Sequence, residues 1–182
     1  ITKPYLQSAQ SQAQRQWKRR QSIPLAGATL GILGLGTIGQ ELAKKAAALE
    51  MRVIGTRHSA RPVPHAENVF GAEGTDAVLA QSDYVVVLLS DTPDTENLID
   101  ARRLGLMKKS AWLINFARGN IIVDQDLIAA VKAKTVAGAV LDVFRVEPLP
   151  PDDPFWSTEG ILVLAHLGGG HPNREKIVAD MF

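Results

Sequence analysis

A glycine-rich turn between a short apolar run and a helical stretch constrains the fold of this chain more than any other feature. Residues 29–33 are typical of a buried strand, residues 38–49 of a helix, and Gly34, Gly36 and Gly39 lie at the turn. Glycines at this spacing allow a tight turn, close approach of a pyrophosphate and close helix–strand packing. With a further strand at 51–56, the pattern predicts a βαβ unit that binds a nucleotide; a tight turn without a ligand is the alternative.

Short apolar runs continue to alternate with helical stretches along the rest of the chain. The pattern predicts helices at 75–81, 101–107 and 124–132, and strands at 84–89, 111–116, 136–141 and 161–164. Continuous apolar strands between helices indicate a parallel sheet that is covered on both faces. We therefore predict an α/β fold with a doubly wound, Rossmann-like parallel sheet in three layers, whose ligands bind beyond the carboxyl ends of the strands.

The two ends of the chain differ from this core. Residues 1–22 are polar and rich in Gln, with apolar residues from Leu6 to Trp17 at helical spacing, and they predict an interdomain helix. Residues 23–171 form the predicted Rossmann core, and residues 172–182 the start of a C-terminal helix. Because the chain begins without Met and ends inside that helix, we expect residues 1–182 to be one dinucleotide-binding domain of a longer polypeptide.

The composition of the chain limits the classes of molecule that it can be expected to bind. The 182 residues are 46% hydrophobic, enough for one sizeable core, and their net charge of +1 gives no general attraction for nucleic acid or an anionic membrane. The apolar runs are too short to span a bilayer. The sequence has no cysteine, which excludes disulfides and thiolate metal sites. We expect a cytoplasmic protein with a small-molecule ligand and no metal.

The end of the second predicted strand carries basic residues where an acidic one is expected. An Asp or Glu at this point would bind the adenosine ribose and repel a 2′-phosphate. No carboxylate occurs between residues 50 and 67, and the strand end instead provides Arg57, His58, Ser59 and Arg61. Arginine and serine are good phosphate donors, so we predict NADP(H) over NAD(H). The alternative is that Arg57 only stacks on the adenine.

Three polar residues follow later strands, where ligands of such a sheet bind. Arg118 follows the strand at 111–116, and Glu147 and His166 follow the next two. A guanidinium suits a carboxylate beside a carbonyl, an imidazole transfers a proton, and a carboxylate stabilises a charged imidazole. Taken singly, Arg118 could instead cap a helix or pair with Asp124. Together the three predict a hydride-transfer site.

Four motifs together resemble the D-isomer-specific 2-hydroxyacid dehydrogenases. They are the glycine turn, Asn115-Phe116-Ala117-Arg118-Gly119 with Val123-Asp124, Leu141-Asp142-Val143-Phe144-x-x-Glu147-Pro148, and His166-x-Gly168-Gly169. The resemblance extends from Pro4 onward and includes the order and spacing of Arg118, Glu147 and His166. It implies a nucleotide-binding domain set into a second, discontinuous substrate domain that this chain lacks, and a homodimer.

The resemblance also implies a role for each residue. Arg118 holds the substrate carboxylate and polarises the 2-oxo group, His166 donates the proton, and Glu147 hydrogen-bonds His166 and stabilises its charged form. The residues implied at the cofactor, besides the three glycines and the basic strand end, are Thr37, Ile38, Phe116, Ala117, Asp142 and Gly168. The chain departs from the usual family pattern at Ser90, Ala165 and His171, and none of these removes a reacting group.

These features predict an NAD(P)-dependent oxidoreductase acting on CH–OH donors, with a substrate similar to glyoxylate or hydroxypyruvate. Glu147 speaks against the formate-oxidising branch of the family, which has Gln there. The alternative is a dinucleotide-sensing, corepressor-like interaction protein of the same fold. Trp156 and His171 are weak candidates for substrate contacts, and we expect little activity from these 182 residues alone, because hydride transfer needs a cleft between two domains.

Overall fold

Seven parallel strands form one sheet in the computed structural model, which describes residues 4–170 of the chain. The strands are β1 Thr29–Leu33, β2 Arg52–Thr56, β3 Asn68–Phe70, β4 Tyr84–Val87, β5 Trp112–Asn115, β6 Gly138–Leu141 and β7 Ile161–Val163. Their order across the sheet is β3-β2-β1-β4-β5-β6-β7. This order confirms the predicted doubly wound, Rossmann-like sheet.

Five α-helices accompany the strands in the described residues: α1 Tyr5–Ala13, α2 Thr37–Ala48, α3 Thr75–Gln81, α4 Ala101–Leu104 and α5 Asp124–Lys132. Helix α2 packs on one face of the sheet through its small residues Ala43 and Ala46, which are buried with Leu30 and Ile32 of β1. Helices α3, α4 and α5 bury Val78, Leu104 and Leu127 against the other face, within a separate cluster. Helices on both faces of the sheet give the predicted three layers.

The order of the strands reverses between β1 and β4. From β1 the chain proceeds through β2 to one edge, and from β4 it proceeds through β5 and β6 to the other. The connections after β1 and β4 therefore leave in opposite directions, and a crevice opens beyond the carboxyl ends of these strands. The glycine turn follows β1, so the crevice begins at that turn.

The predicted N-terminal helix over residues 1–22 is wrong in its extent. Helix α1 ends at Ala13, and Trp17 lies beyond it with 92% of its surface exposed. The amide of Arg15 bonds to Gln12 O and that of Gln16 to Ser11 O, with Arg15 at φ 54°. This hydrogen-bond pattern closes a helix C-terminus with a left-handed residue, for which Gly is the usual sign. Because Arg occupies that position, no residue there indicated the end of the helix.

Other elements agree with the sequence to within a few residues. Helices α3 and α5 have the predicted bounds, whereas α4 ends at Leu104 and β6 begins at Gly138. Strand β3, at the sheet edge, was not predicted. The predicted C-terminal helix at 172–182 lies outside the described residues. Within residues 4–170, no helix has the length and apolarity needed to cross a bilayer.

Candidate active site

The three glycines of the turn after β1 serve different purposes. Gly34 adopts φ 109°, and a Cβ there would lie 2.7 Å from Leu88 O of the connection after β4. A Cβ on Gly39 would lie 2.2 Å from Gly34 O. These two positions are restricted by packing of the protein itself. A Cβ on Gly36, in contrast, would have no atom of residues 4–170 within 4 Å, so among these residues the backbone at Gly36 borders open space that a ligand can approach.

The amino end of α2 faces this open space and suits an anion. Gly36 caps the helix, no side chain of the described residues provides a cap, and the first turn contains no acidic residue. Thr37 and Ile38 are exposed, and their amides have no partner within the first helical turn. Free amides and the positive end of the helix dipole favour a phosphate group. The residues present therefore fit the pyrophosphate of a dinucleotide.

The end of β2 adjoins the glycine turn and carries the predicted basic residues. The carbonyl of Thr56 accepts hydrogen bonds from Gly34 N (3.2 Å) and Leu35 N (2.8 Å), so the next residue, Arg57, lies beside the turn. Arg57 is half-buried, whereas His58 and Ser59 are exposed. No carboxylate in residues 4–170 pairs with the Arg57 guanidinium. This end of the crevice is therefore positively charged.

Glu147 and His166 form a hydrogen-bonded pair, as the sequence predicted. Glu147 Oε2 lies 2.7 Å from His166 Nδ1, and Glu147 Oε1 accepts a 2.8 Å hydrogen bond from Phe144 N. The bond to His166 is the main cause that lowers the pKa of Glu147; burial opposes the shift, and the Phe144 amide adds to it. Because Nδ1 is engaged with the carboxylate, Nε2 is the ring nitrogen left for proton transfer.

The loop that carries His166 is fixed by Asp142. The side chain of Asp142, a residue that is 2% exposed, accepts hydrogen bonds from Leu167 N (2.7 Å) and Gly168 N (2.8 Å). The backbone carbonyl of Asp142 accepts a further one from His166 N (3.0 Å). His166 itself adopts φ 54°, which is unfavourable for a residue with a Cβ. The Asp142 bonds offset that cost. The family resemblance implied Asp142 at the cofactor but did not anticipate this anchoring role.

Arg118 is held in a turn that Asn115 closes. The Asn115 side chain, 1% exposed, accepts a bond from Ala117 N (3.0 Å) and donates one to Arg118 O (2.9 Å). The Arg118 guanidinium donates to Ala117 O at 2.7 Å. The possible pairing of Arg118 with Asp124 does not occur, because Asp124 lies 3.5 Å from Arg145 Nε instead.

A cavity of about 690 Å³ brings together six of the predicted residues: Ile38, Phe116, Arg118, Asp142, His166 and Gly168. Its apolar wall includes Val86, Leu88 and Ile114, which the sequence analysis did not single out because they read only as strand residues. Ala117 is not part of the lining; its side chain is 6% exposed and lies in the core. Arg57, His58 and Ser59 lie apart from this cavity, at the end of β2.

A second cavity of about 510 Å³ is also bordered by His166. It is lined mainly by apolar residues, among them Leu149, Trp156 and Leu164, and Glu147 borders it. Ala165, where the family usually has Pro, also lines it. Trp156 is fixed by a 2.8 Å hydrogen bond from its indole to Pro150 O. His171, the other weak candidate, lies outside the described residues.

The arrangement provides the parts that a hydride-transfer reaction requires. An apolar wall suits a nicotinamide ring, a guanidinium suits a carboxylate, and an imidazole bonded to a carboxylate suits proton transfer. Arg118 and His166 border the same cavity from different loops. A 2-oxo acid, with its carboxylate next to a carbonyl, can contact both.

Comparison with known proteins gives consistent matches. The model of a family described as D-isomer specific 2-hydroxyacid dehydrogenase, NAD binding domain, matches residues 1–168. The chain is 40% identical over 155 residues to a glyoxylate/hydroxypyruvate reductase B of Yersinia pestis, an alignment that covers 83% of this chain and 47% of that protein. The chain thus spans about half the length of the curated relatives it matches.

Two solved structures resemble the chain throughout. Phosphoglycerate dehydrogenase from Lactobacillus plantarum superposes with a TM-score of 0.89 at 32% identity, covering 100% of this chain and 59% of that one. An NADPH-dependent glyoxylate/hydroxypyruvate reductase from Sinorhizobium meliloti, solved with NADP and sulfate, superposes with a TM-score of 0.85 at 30% identity, covering 97% and 57%.

Proposed function

Since the chain belongs to the D-isomer-specific 2-hydroxyacid dehydrogenase family, we propose that it is the nucleotide-binding part of an enzyme that reduces a small 2-oxo acid to the 2-hydroxy acid with NADPH. The observation that carries this proposal is the 2.7 Å hydrogen bond between Glu147 and His166, at a cavity that Arg118 also lines. Relatives named as glyoxylate/hydroxypyruvate reductases support glyoxylate or hydroxypyruvate as the substrate.

Each residue of the site has a separate role in the proposed reaction. The bound dinucleotide supplies the hydride that is added to the 2-oxo carbon. Arg118 binds the substrate carboxylate through its planar guanidinium and polarises the adjacent carbonyl. His166 donates the proton from Nε2 to the carbonyl oxygen, while Glu147 holds Nδ1 and stabilises the charged imidazole. The apolar wall at Val86 and Ile114 provides a surface for the nicotinamide ring.

The preference for NADP(H) is the part of the proposal that depends on β2. Arg57 lies where an acidic residue would repel a 2′-phosphate, and Ser59 follows as a further donor. Glu67, the next acidic residue along the chain, is bonded to Arg52 at the start of β2 (3.0 Å) and so does not pair with Arg57. A charge-assisted hydrogen bond contributes about 1.5–3 kcal/mol, so Arg57 accounts for roughly 10- to 150-fold in NADPH affinity.

Calorimetric titration of the 182-residue chain with NADPH and NADH tests this preference. We expect NADPH to bind more tightly in the wild type and the Arg57→Asp variant to reverse the order. Arg19→Asp, which makes the same change of charge in the exposed N-terminal segment, serves as the control and leaves the order unchanged. Tighter binding of NADH by the wild type would contradict the preference, and binding of neither would contradict the cofactor site itself.

Turnover separates an enzyme from the competing interpretation, a dinucleotide-sensing interaction protein. The natural full-length polypeptide and the 182-residue chain are each assayed for NADPH oxidation with glyoxylate, hydroxypyruvate and pyruvate. We expect turnover by the full-length polypeptide, abolition by His166→Ala with NADPH binding retained, and little activity of the shorter chain. NADPH binding without turnover of any 2-oxo acid would favour the sensing protein.

Two further expectations remain predictions. The family resemblance implies a homodimer, which light scattering of the purified chain would measure directly. The cytoplasmic location predicted from the sequence stays a prediction, and fractionation of cells that express the natural polypeptide would test it.

A further inference from the structure

Arg145 occupies a position that the family motif leaves open. It lies in the loop after β6, three residues beyond Asp142 and two before Glu147, where the motif reads Phe144-x-x-Glu147. Its side chain is 32% exposed. The sequence analysis did not single it out, yet its guanidinium bonds to residues outside its own loop.

The guanidinium of Arg145 joins its own loop to two other segments, one at Asn97 and one at residues 120–124. Its Nη2 donates to the carbonyl oxygens of Ile122 (2.7 Å) and Asn120 (3.2 Å), and to the side-chain oxygen of Asn97. Its Nε lies 3.5 Å from Asp124 Oδ1 at the start of α5. The bonds to the carbonyls are shorter than this ion pair and are the firmer part of the connection. Burial raises the pKa of Asp124, an effect that Arg145 opposes. These acceptors include the segment that directly follows Arg118.

Backbone packing joins the same two loops. A Cβ on Gly119, the residue after Arg118, would lie 2.0 Å from Phe144 C and 2.3 Å from Arg145 N. Phe144 N in turn donates to Glu147, which bonds to His166. A continuous set of contacts therefore leads from the Arg118 loop, through Phe144 and Arg145, to the Glu147–His166 pair.

We propose that Arg145 is a positioning residue that fixes the distance between the Arg118 guanidinium and the His166 imidazole. This inference rests on the proposed function, in which Arg118 and His166 contact the adjoining carboxylate and carbonyl groups of one small 2-oxo acid. The distance between them must therefore be set by the protein, and a misplacement of about 1 Å lowers the rate of such a reaction by about 10²-fold. The guanidinium reaches the carbonyl oxygens through Nη2 and Asp124 through Nε, two positions that a lysine ammonium, a point donor, does not occupy together.

The test uses the natural full-length polypeptide, with glyoxylate as substrate and NADPH at saturation. Arg145→Met removes every donor but keeps much of the aliphatic stem, and Arg145→Lys restores the charge. The control is Arg102→Met, which removes an ion pair to Asp76 on the surface between α3 and α4. For each variant, kcat/KM for glyoxylate, the dissociation constants of oxamate and NADPH, and Tm are measured.

We expect Arg145→Met to lower kcat/KM and weaken oxamate binding by 10-fold or more, with NADPH affinity changed less than 2-fold, because within residues 4–170 the Arg145 side chain bonds neither to the glycine turn after β1 nor to the end of β2. Arg145→Lys recovers part of the loss, and Arg102→Met behaves as wild type in kcat/KM. If Arg145→Met does not fold, a loss of 5-fold or more in folded Arg145→Lys supports the proposal, and unchanged kcat/KM overturns it.

The outcomes distinguish this inference from the function on which it rests. A purely structural role would lower Tm and leave kcat/KM and oxamate binding unchanged in the folded variant, and this result overturns the positioning role alone. Absence of turnover by the wild type overturns the proposed function and the positioning role with it.

Discussion

Replacing Asp142 by Asn removes the anchor of the His166 loop while preserving its shape. Both carboxylate oxygens accept backbone amides, from Leu167 at 2.7 Å and Gly168 at 2.8 Å, in a side chain that is 2% exposed. Asn can accept only one of these bonds, and its own amide then faces the second N–H group. A lost hydrogen bond to a charged group costs about 1.5–3 kcal/mol, and an unsatisfied buried donor about 1–3 kcal/mol. Because these terms overlap, we expect a loss of about 2–4 kcal/mol in unfolding free energy.

Urea unfolding of the 182-residue chain, followed by circular dichroism, measures this loss directly. For a domain of this size, about 2–4 °C per kcal/mol gives a decrease in Tm of roughly 4–16 °C. Asp152→Asn is the matched control, since Asp152 is exposed and nearby in sequence, and such surface changes stay within about 0.5 kcal/mol. If Asp142→Asn were as stable as this control, the two bonds would not anchor the loop and the anchoring role would be wrong.

Three further predictions follow from the turn and the ion pairs. Gly36→Ala should fold normally but bind NADPH at least 10-fold more weakly in calorimetry. Gly39→Ala should unfold at lower urea concentration, because its Cβ would lie 2.2 Å from Gly34 O. Equal stability of the two variants would contradict this difference. Two arginines of α4 hold the pKa of Asp76 at about 2, below its usual 3.8. The stability that these two ion pairs contribute is complete above about pH 4 and is lost as the pH falls through 2. Asp76→Asn should therefore lower the free energy of unfolding, measured in urea, by under about 1 kcal/mol at pH 7 after solvent screening, and by less at pH 2. A difference that does not depend on pH would contradict this prediction. Glu147→Gln should lower kcat/KM of the full-length polypeptide by about 10²-fold near pH 7, and by less in more acidic solution. A pH–rate profile measures this, and an unshifted profile would contradict the proposed role of the Glu147–His166 pair.

The alternation of apolar runs allowed much of the fold to be predicted. Helices α3 and α5 match their predicted bounds because their apolar spacing, and the polar residues around them, are local signals. Strand β3 was missed because three residues at a sheet edge, only partly buried, have too little periodicity to detect. Helix α1 was extended too far because Arg15 adopts a left-handed conformation without being Gly.

The candidate site was predictable in its residue types but not in its connections. The motifs named Arg118, Glu147 and His166, and the structure places Arg118 and His166 at one cavity with Glu147 bonded to His166. Arg145 was not predicted, because its acceptors lie up to 48 residues away along the chain. Neither was the use of both Asp142 oxygens by the His166 loop.

The sequence by itself determined the strand–turn–helix units, the glycines that the turn requires and the chemical groups available for reaction. These properties depend on a residue and its near neighbours, through conformational preference and periodicity. Only the tertiary structure decided which groups meet. The bond from Glu147 to His166 spans 19 residues, and the one from Asp142 to Gly168 spans 26. Their geometry depends on the order of the strands and on how the loops beyond them pack, because a hydrogen bond requires a short distance and a favourable angle between donor and acceptor, whatever their separation along the chain.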